Sequence, residues 1–324
     1  MLDMTLSSRK PLISVLIPNY NSPDLYAALD SVLIQDYPNL QLILIDDASD
    51  SFSANEFEEY IKTNIKGRSW EWCVLVNSVN QGTVRTMNRA FSLAHGEYIF
   101  NLAGDDAFYD GHVLSDWVTE FQRTDAQIIT AKRMCCDSTL NREFGTAPDS
   151  EQIRKIQEYT PWELFEAIGP VNFIFGCCTA RSAECMRRYG TCSDLYRLID
   201  DHPLNLRLLR ENVRIVFFDR VVIKYRVGGV SSAGRHNAQY RAEARLIQRC
   251  EVQPYTNRSR QAWKIYRQWE RSCRREALRR KWGGNRLAWF WMRGWLYMLY
   301  PESTIQRLKG ILKLDGSIYK KGDL

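Results

Sequence analysis

The chemistry written most plainly in this chain lies in two pairs of adjacent carboxylates. Asp105 and Asp106 stand where the apolar, β-prone run Tyr98–Leu102 gives out, and Asp46 and Asp47 close the earlier run Leu42–Ile45 in the same way. Two neighbouring acids repel each other, so a fold rarely gathers them without a cation or an array of donors to offset the cost. The carboxyl ends of strands in an open α/β sheet are also where ligands bind. Two pairs at two strand ends therefore point to one acidic, cation-dependent site. The competing role for Asp105–Asp106 is helix capping ahead of Gly111–Phe121, since aspartate satisfies the free amides of a first turn.

The elements that must position these acids alternate. Leu12–Ile17 reads as a strand ended by Pro18, and Asp24–Gln35 has a helical apolar spacing. Gln41–Ile45, Trp72–Val76 and Tyr98–Leu102 read as further strands, with helices over Glu56–Ile65 and Val84–Ala94 between them. This order implies an α/β fold with a doubly wound, mostly parallel sheet and right-handed crossovers. Helix Val113–Phe121 and strand Gln127–Ala131 extend it. Asp137–Glu158 reads as a polar loop, Val171–Thr179 as a strand, Leu204–Leu209 as a helix, and Val213–Phe218 and Val221–Tyr225 as two short strands.

Charge divides the chain. Residues 1–234 carry 23 Lys/Arg against 31 Asp/Glu, and residues 235–324 carry 21 against 7, with six of the ten tryptophans. The expected organisation is a mildly acidic globular body over 1–234. A helical, basic, aromatic-rich extension follows over 235–324. A long basic helix or helix pair is expected over Gln239–Lys281, with Trp263, Tyr266, Trp269 and Cys273 on one face. As a helix, Leu287–Tyr300 would span about 21 Å, short of the ~30 Å hydrocarbon core, so it is read as lying at a membrane interface rather than crossing it. An anionic leaflet attracts such a tail; packing of its aromatics on the 1–234 body is the alternative. Nine cysteines, an odd number with no Cys-x-x-Cys pair, suit buried small residues better than a disulfide framework. Residues 1–11 are polar and mixed, unlike a secretory peptide. The compartment expected is the cytoplasm, peripheral at the inner face of the membrane.

Glycine-based nucleotide motifs are absent. The first strand runs into Pro18-Asn19-Tyr20-Asn21-Ser22 rather than Gly-x-Gly-x-x-Gly, and no Gly-x-x-x-x-Gly-Lys-Ser/Thr occurs. Instead, an ordered set of motifs stands over roughly residues 11–232. It comprises Ile13-Ser14-Val15-Leu16-Ile17-Pro18-Asn19-Tyr20-Asn21, Leu44-Ile45-Asp46-Asp47-Ala48-Ser49, Asn80-Gln81-Gly82 with Asn88, Ala94-His95-Gly96-Glu97-Tyr98-Ile99, and Asp105-Asp106. In this set the chain resembles the inverting family-2 glycosyltransferases of GT-A fold, of the bacterial polysaccharide or lipopolysaccharide type. The resemblance implies a nucleotide-sugar donor, usually a UDP-sugar, and a divalent metal, Mn²⁺ or Mg²⁺; it makes 1–234 a catalytic domain, with a nucleotide-binding half at about 11–110 and an acceptor half at about 111–234. It places Pro18, Tyr20, Asn21, Asp46, Asp47, Asn80, Gly82, Arg85, Asn88 and Asp105 at the donor nucleotide, and Asp106 with Asp105 at the metal on the diphosphate. A carboxylate-held cation offsets charge on that leaving group without a proton.

The resemblance also implies a general base in an acidic pair about two-thirds along the domain. Leu198-Ile199-Asp200-Asp201-His202-Pro203-Leu204 fits, with Asp201 as base, Asp200 as its neighbour, and His202 as the rival. The alternative is an N-cap for helix Pro203–Arg210. Tyr225-Arg226-Val227-Gly228-Gly229-Val230-Ser231-Ser232 resembles the closing loop of the family, with Arg226 matched to the diphosphate. Three positions depart from the pattern: Ala103 replaces the first acid of Asp-x-Asp-Asp, Met87 replaces an arginine for which Arg85 could substitute, and Gly228 replaces a frequent histidine. The partners implied are a nucleotide-sugar, a glycan or lipid-linked acceptor and a membrane surface, and no nucleic acid. The departures keep open a non-catalytic nucleotide-binding scaffold docked to a membrane through its basic tail. A sugar nucleotidyltransferase is a third reading, weakened by the absence of a glycine-rich phosphate loop.

Overall fold

The computed structural model describes residues 10–65, 67–228 and 237–258, together with 264, 267 and 271. The alternating first third folds as its apolar patterning dictates. Strands β1 (Ile13–Asn19), β2 (Leu40–Asp46), β3 (Glu71–Val76) and β4 (Tyr98–Asn101) alternate with helices α1 (Leu25–Leu33), α2 (Ala54–Asn64) and α3 (Thr83–Leu93). They pair in parallel in the order β3-β2-β1-β4. β1 and β2 read as continuous apolar runs because helices cover both faces, and their residues are almost all buried.

Beyond β4 the sheet is mixed, and here the doubly wound, mostly parallel expectation is corrected. The remaining strands are β5 (Ala107–Phe108), β6 (Ile128–Cys136), β7 (Glu143–Ala147), β8 (Thr179–Ser182) and β9 (Ile215–Arg226). The order continues β4-β8-β6-β9-β5, with β7 also on β6; β6 and β9 are parallel, while the β4–β8, β8–β6, β6–β7 and β9–β5 pairs are antiparallel. The reason lies in the connections. Parallel pairing needs a crossover of a dozen or more residues. β4 instead runs through Leu102–Asp106 directly into β5, and Asp106 N–H closes that link by donating to the Ala103 carbonyl at 3.0 Å. Three strands lie between β4 and β5 in the order, about 19 Å of flat sheet at ~4.8 Å per step. A tight turn spans less than about 7 Å, so the sheet curls. The architecture is GT-A-like, with a curled mixed sheet and helices following it.

Other local expectations shift for identifiable reasons. Asp137–Glu158 is not a plain loop: it holds β7 and α5 (Ser150–Glu158), started by a reciprocal capping box between Asp149 and Gln152. Val171–Thr179 is largely irregular, ending in a 3₁₀ turn at Gly176–Cys178 before β8. The two short strands after 213 are one, β9. Helices α6 (Pro161–Ile168) and α7 (Ala183–Tyr189) were not anticipated; α6 begins at Thr160 with a second capping box and Pro at N1. Helix α4 (Val113–Thr124) falls where expected.

Apolar side chains form clusters on the two faces of the sheet, one centred on α1, α2 and α4, the other on α3, α6 and α8 (Asp201–Arg210). Helix α9 (Ala238–Ile247) and the turns through Arg258 join the second cluster through Ile247 and Val252, which are fully or nearly buried. The chain divides into two units, 1–263 and 264–324. The expected face Trp263–Cys273, the aromatic stretch Trp282–Tyr300, and Gly229 to Ser232 of the closing loop lie outside the described residues. Among the described residues no helix is long and apolar enough to cross a membrane. The described cysteines are all free.

Candidate active site

The parallel register of β1 and β2 sets Asn19 opposite Asp46, and that pairing organises the first acid pair. Asn19 Nδ2 donates to Asp46 Oδ1 at 2.6 Å, and Ser49 donates from both its N–H (2.7 Å) and its hydroxyl (2.6 Å) to the same carboxylate. Asp47 accepts from Asn77 Nδ2 (2.7 Å), Gln81 N–H (2.8 Å) and Gly82 N–H (2.7 Å). Both aspartates are buried, and each ties a loop to a strand end. They shape the mouth of the site by fixing the 47–50 and 77–82 segments.

The neighbouring donor candidates fall around these loops. Pro18 is the penultimate residue of β1. Tyr20 is 53% exposed at the opening, and Asn21, at φ 49°, exchanges hydrogen bonds with Asp50 and receives none of its support from a helix. Gly82 heads α3 at φ 89°; a Cβ there would lie 2.3 Å from Arg197 Cγ, so the close approach of the 191–200 loop requires glycine. Asn80 is bound through its side chain and carbonyl by the Arg197 guanidinium. Asn88 clamps the same loop, exchanging bonds with the Cys192 backbone and donating to Asp194. Arg85 is exposed on the first turn of α3, and Met87 is a core residue.

The second acid pair folds back onto the first. Gly104 N–H donates to the Pro18 carbonyl at 3.1 Å, and a Cβ at Gly104 would lie 2.8 Å from Asn19 Oδ1. The Leu102–Asp106 turn therefore lies against the same strand end that holds Asp46. Asp106 is 2% exposed and Asp105 partly exposed. Burial pushes both carboxyls up; for Asp106 the Cys177 thiol and the Asp105 charge push the same way. Arg226, at the end of β9, answers them: its N–H donates to Asp106 Oδ1 (2.9 Å), and its Nε donates to the Asp105 carbonyl (2.8 Å) and lies 3.2 Å from Asp24 Oδ2. Asp105 and Asp106 thus do not cap α4, which His112 precedes. They form a hard-oxygen pair, one carboxyl buried and one partly exposed, of the kind that Mg²⁺ or Mn²⁺ takes when substrate phosphates and water supply its other ligands. Among the described residues no group of three or more His, Cys, Asp or Glu converges on a metal site; the two carboxylates would hold the ion together with substrate.

Across the sheet, α8 presents Asp200 and Asp201. Asp201 begins the helix, and its carboxylate is held from three sides: Asn172 Nδ2 (3.0 Å) and Gly176 N–H (2.9 Å) donate to Oδ2, and His202 N–H (2.6 Å) donates to Oδ1. Asp200 occupies the N-cap position but makes no side-chain cap bond; burial and the neighbouring Asp201 charge raise its pKa to about 7. His202 is a core histidine whose Nε2–H donates to the Ile168 carbonyl at 2.9 Å, and burial lowers its pKa.

Several contributors went unread in the sequence. Glu243 of α9 is buried and accepts the N–H groups of Leu198 (2.9 Å) and Ile199 (3.0 Å), just ahead of the acid pair. Tyr240, one turn away, has its hydroxyl pKa raised by burial and by Asp201. Arg133, on β6, lies between the rings of Phe175 and Tyr225. An arginine inside a β-prone run was the available signal for the last of these; nothing local marked Glu243.

Residues 14–184 match the family model described as glycosyl transferase family 2. The chain is 36% identical over 97 residues to the putative colanic acid biosynthesis glycosyl transferase WcaA of Escherichia coli, covering 30% of this chain and 33% of that one. It is 25% identical over 219 residues to the uncharacterized glycosyltransferase EpsJ of Bacillus subtilis, covering 67% and 61%. The chain thus spans between a third and about two thirds of the length of these relatives. Among solved structures it is similar to S. aureus TarS 1–349 in complex with UDP-GlcNAc, with a TM-score of 0.58 at 16% identity over 80% of this chain and 72% of that one. It is also similar to the mannosyltransferase PcManGT of Pyrobaculum calidifontis in complex with GDP-Man and Mn²⁺, with a TM-score of 0.53 at 16% identity over 89% and 86%. At that identity the likeness shows the fold alone.

Proposed function

The chain belongs to glycosyl transferase family 2, and on that premise we propose that it is an inverting glycosyltransferase. It moves a sugar from a nucleotide-sugar, a UDP-sugar by the sequence resemblance, to a hydroxyl of a glycan or lipid-linked acceptor. The observation that carries the reading is the Asp105–Asp106 turn laid against Asn19, the residue that holds Asp46. Both acid pairs share one strand end, as a nucleotide and its diphosphate require.

In the proposed reaction the acceptor oxygen attacks the anomeric carbon from the side opposite the diphosphate. The new C–O bond forms as the old one breaks, and its electron pair leaves with the diphosphate. The acceptor proton passes to the Asp201 carboxylate, which the Asn172, Gly176 and His202 donors hold in one orientation. Asp200 adds negative charge beside it. A divalent metal, which Asp105 and Asp106 would hold, supplies charge neutralisation at the diphosphate. Arg226 keeps those two acids in place through Asp106 Oδ1 and the Asp105 carbonyl. The 77–88 segment, fixed by Asp47, frames the nucleoside.

The net charge of the tail and its six tryptophans support docking of residues 235–324 to an anionic membrane surface, with the enzyme peripheral on the cytoplasmic side. The catalytic reading is tested by donor turnover across a panel of UDP- and GDP-sugars with Mn²⁺. Activity that chelator abolishes and Asp201→Asn reduces by about 10²–10⁴-fold is expected. Full activity of Asp201→Asn would remove the assigned base, and undiminished activity in chelator would remove the metal. Liposome co-sedimentation tests the docking.

A further inference from the structure

Arg133 is a cationic side chain of this site whose partners are incomplete. Its guanidinium is sandwiched with its carbon 3.7 Å from the centroid of the Phe175 ring and 3.9 Å from that of Tyr225. Both faces are therefore covered, and only the edge of the plane can hydrogen-bond. At that edge Nε is buried with no acceptor, and the partners present are thiols, Cys177 with its sulfur 3.9 Å from Nη1 and Cys135, both weak acceptors. Among the described residues no carboxylate lies within ion-pair distance of it. Arg123, Arg210, Arg220 and Arg226 each have one. A partly buried guanidinium held flat by two rings, its Nε out of reach of water, is costly unless an anion meets its edge.

Its position says which anion. Each ring that clamps it is the chain neighbour of a residue that hydrogen-bonds to a site acid. Phe175 precedes Gly176, whose N–H holds Asp201; Tyr225 precedes Arg226, whose N–H holds Asp106. The two rings thus tie Arg133 to the turn that holds the assigned base and to the strand end that holds Asp106, on which its charge acts, the two sides between which the proposed transfer runs. We propose that Arg133 is an anion-binding residue of the active site, and that its ligand is an anionic oxygen group of the donor. That group is either the diphosphate or a carboxylate on the transferred sugar, and a planar fork binds both in the same bidentate way. This rests on the glycosyltransferase reading and adds to it a residue that sets donor affinity or sugar choice.

The test is calorimetric binding to the full chain, with Mn²⁺ present, of pyrophosphate, UDP, GDP, UDP-glucose and UDP-glucuronate, for wild type, Arg133→Gln and Arg133→Lys. If the diphosphate is the ligand, Arg133→Gln weakens every diphosphate-bearing probe about ten- to a hundredfold, the scale of losing a charge-assisted hydrogen bond. If a sugar carboxylate is the ligand, only UDP-glucuronate weakens. Arg133→Lys keeps the charge without the fork and loses part of the affinity; it carries the test if Arg133→Gln loses its cooperative melting transition. Wild-type affinities retained by the variants for every probe would overturn the role of Arg133 and leave the glycosyltransferase reading intact. Wild-type protein that binds none of the probes would overturn the donor reading itself, and this site with it.

Discussion

Asp201 and Gly176 fit each other without room to spare. The carboxylate Oδ2 accepts the Gly176 N–H at 2.9 Å, and a Cβ placed at Gly176 would stand 3.0 Å from the Asp201 Cβ. A side chain at that turn would make Asp201 give by a few tenths of an ångström. Gly176→Ala is expected to lower kcat by at least about tenfold, because small displacements of a catalytic group cost heavily, while donor KM changes little. Steady-state kinetics on the variant, with donor and acceptor varied separately, checks this; a rise in donor KM at constant kcat would contradict it.

Asp47 joins three partners, and its loss costs each of them an acceptor. Asp47→Ala leaves Asn77 Nδ2 and the amides of Gln81 and Gly82 short of an acceptor. The expected cost is about 1–3 kcal/mol of stability for such unsatisfied buried donors, read from urea unfolding midpoints. Donor KM should rise as well, since the 77–82 segment then loses its fixed form. Stability lost with donor KM unchanged would confine Asp47 to a structural role.

The Asp200–Asp201 pair gives activity and stability opposite dependences on pH. Asp200 holds its proton up to about pH 7 in the folded protein, against 3.8 for an ordinary aspartate, because burial and the Asp201 charge oppose its ionisation. Activity should therefore rise through about pH 7 as the pair sheds its second proton, and Asp200→Asn should move that limb to lower pH. The folded state binds this proton more tightly than the unfolded chain does. Its contribution to stability is thus full below about pH 4 and is lost as pH rises through about 7. Relative to wild type, Asp200→Asn should gain stability between pH 4 and 7 and hold a constant difference above. Denaturant midpoints measured at several pH values would show the gain, and a flat difference would exclude the raised value.

Glu243 holds the approach to the acid pair from helix α9. Glu243→Ala strands the Leu198 and Ile199 amides, with an expected loss of about 1–3 kcal/mol and a lower kcat. Glu243→Gln keeps an acceptor oxygen and should recover most of both. Equal damage in the two variants would mean that the negative charge of Glu243, rather than its hydrogen bonds, is what matters.

The first half of the site was legible because its signals are local. Asp46–Asp47 and Asp105–Asp106 sit at ends of apolar runs, and those strands form within a few residues of where periodicity puts them. The antiparallel second half was not legible, since β8 is a four-residue strand entered from a 3₁₀ turn and its place depends on pairing with β4 across some 80 residues and with β6 across some 50. His202 read as a possible base only because burial is invisible in sequence; the Ile168 carbonyl settles it as a core residue. Asn88, matched by motif to the donor, clamps the loop at Cys192 and Asp194, a contact 104 and 106 residues away that no spacing announces.

The grip of α9 on the Leu198–Ile199 amides has a consequence for when the enzyme becomes active. The proposed base on α8 is supported by a residue synthesised 42 positions later than Asp201, and Glu251 adds a further tie to Tyr196 and Arg210. A nascent chain that has released its whole sheet still lacks this brace until the 238–258 segment has left the ribosome. A deletion meant to remove only the basic tail must likewise begin beyond Arg258. Cut earlier, it would silence catalysis and be mistaken for loss of an anchor.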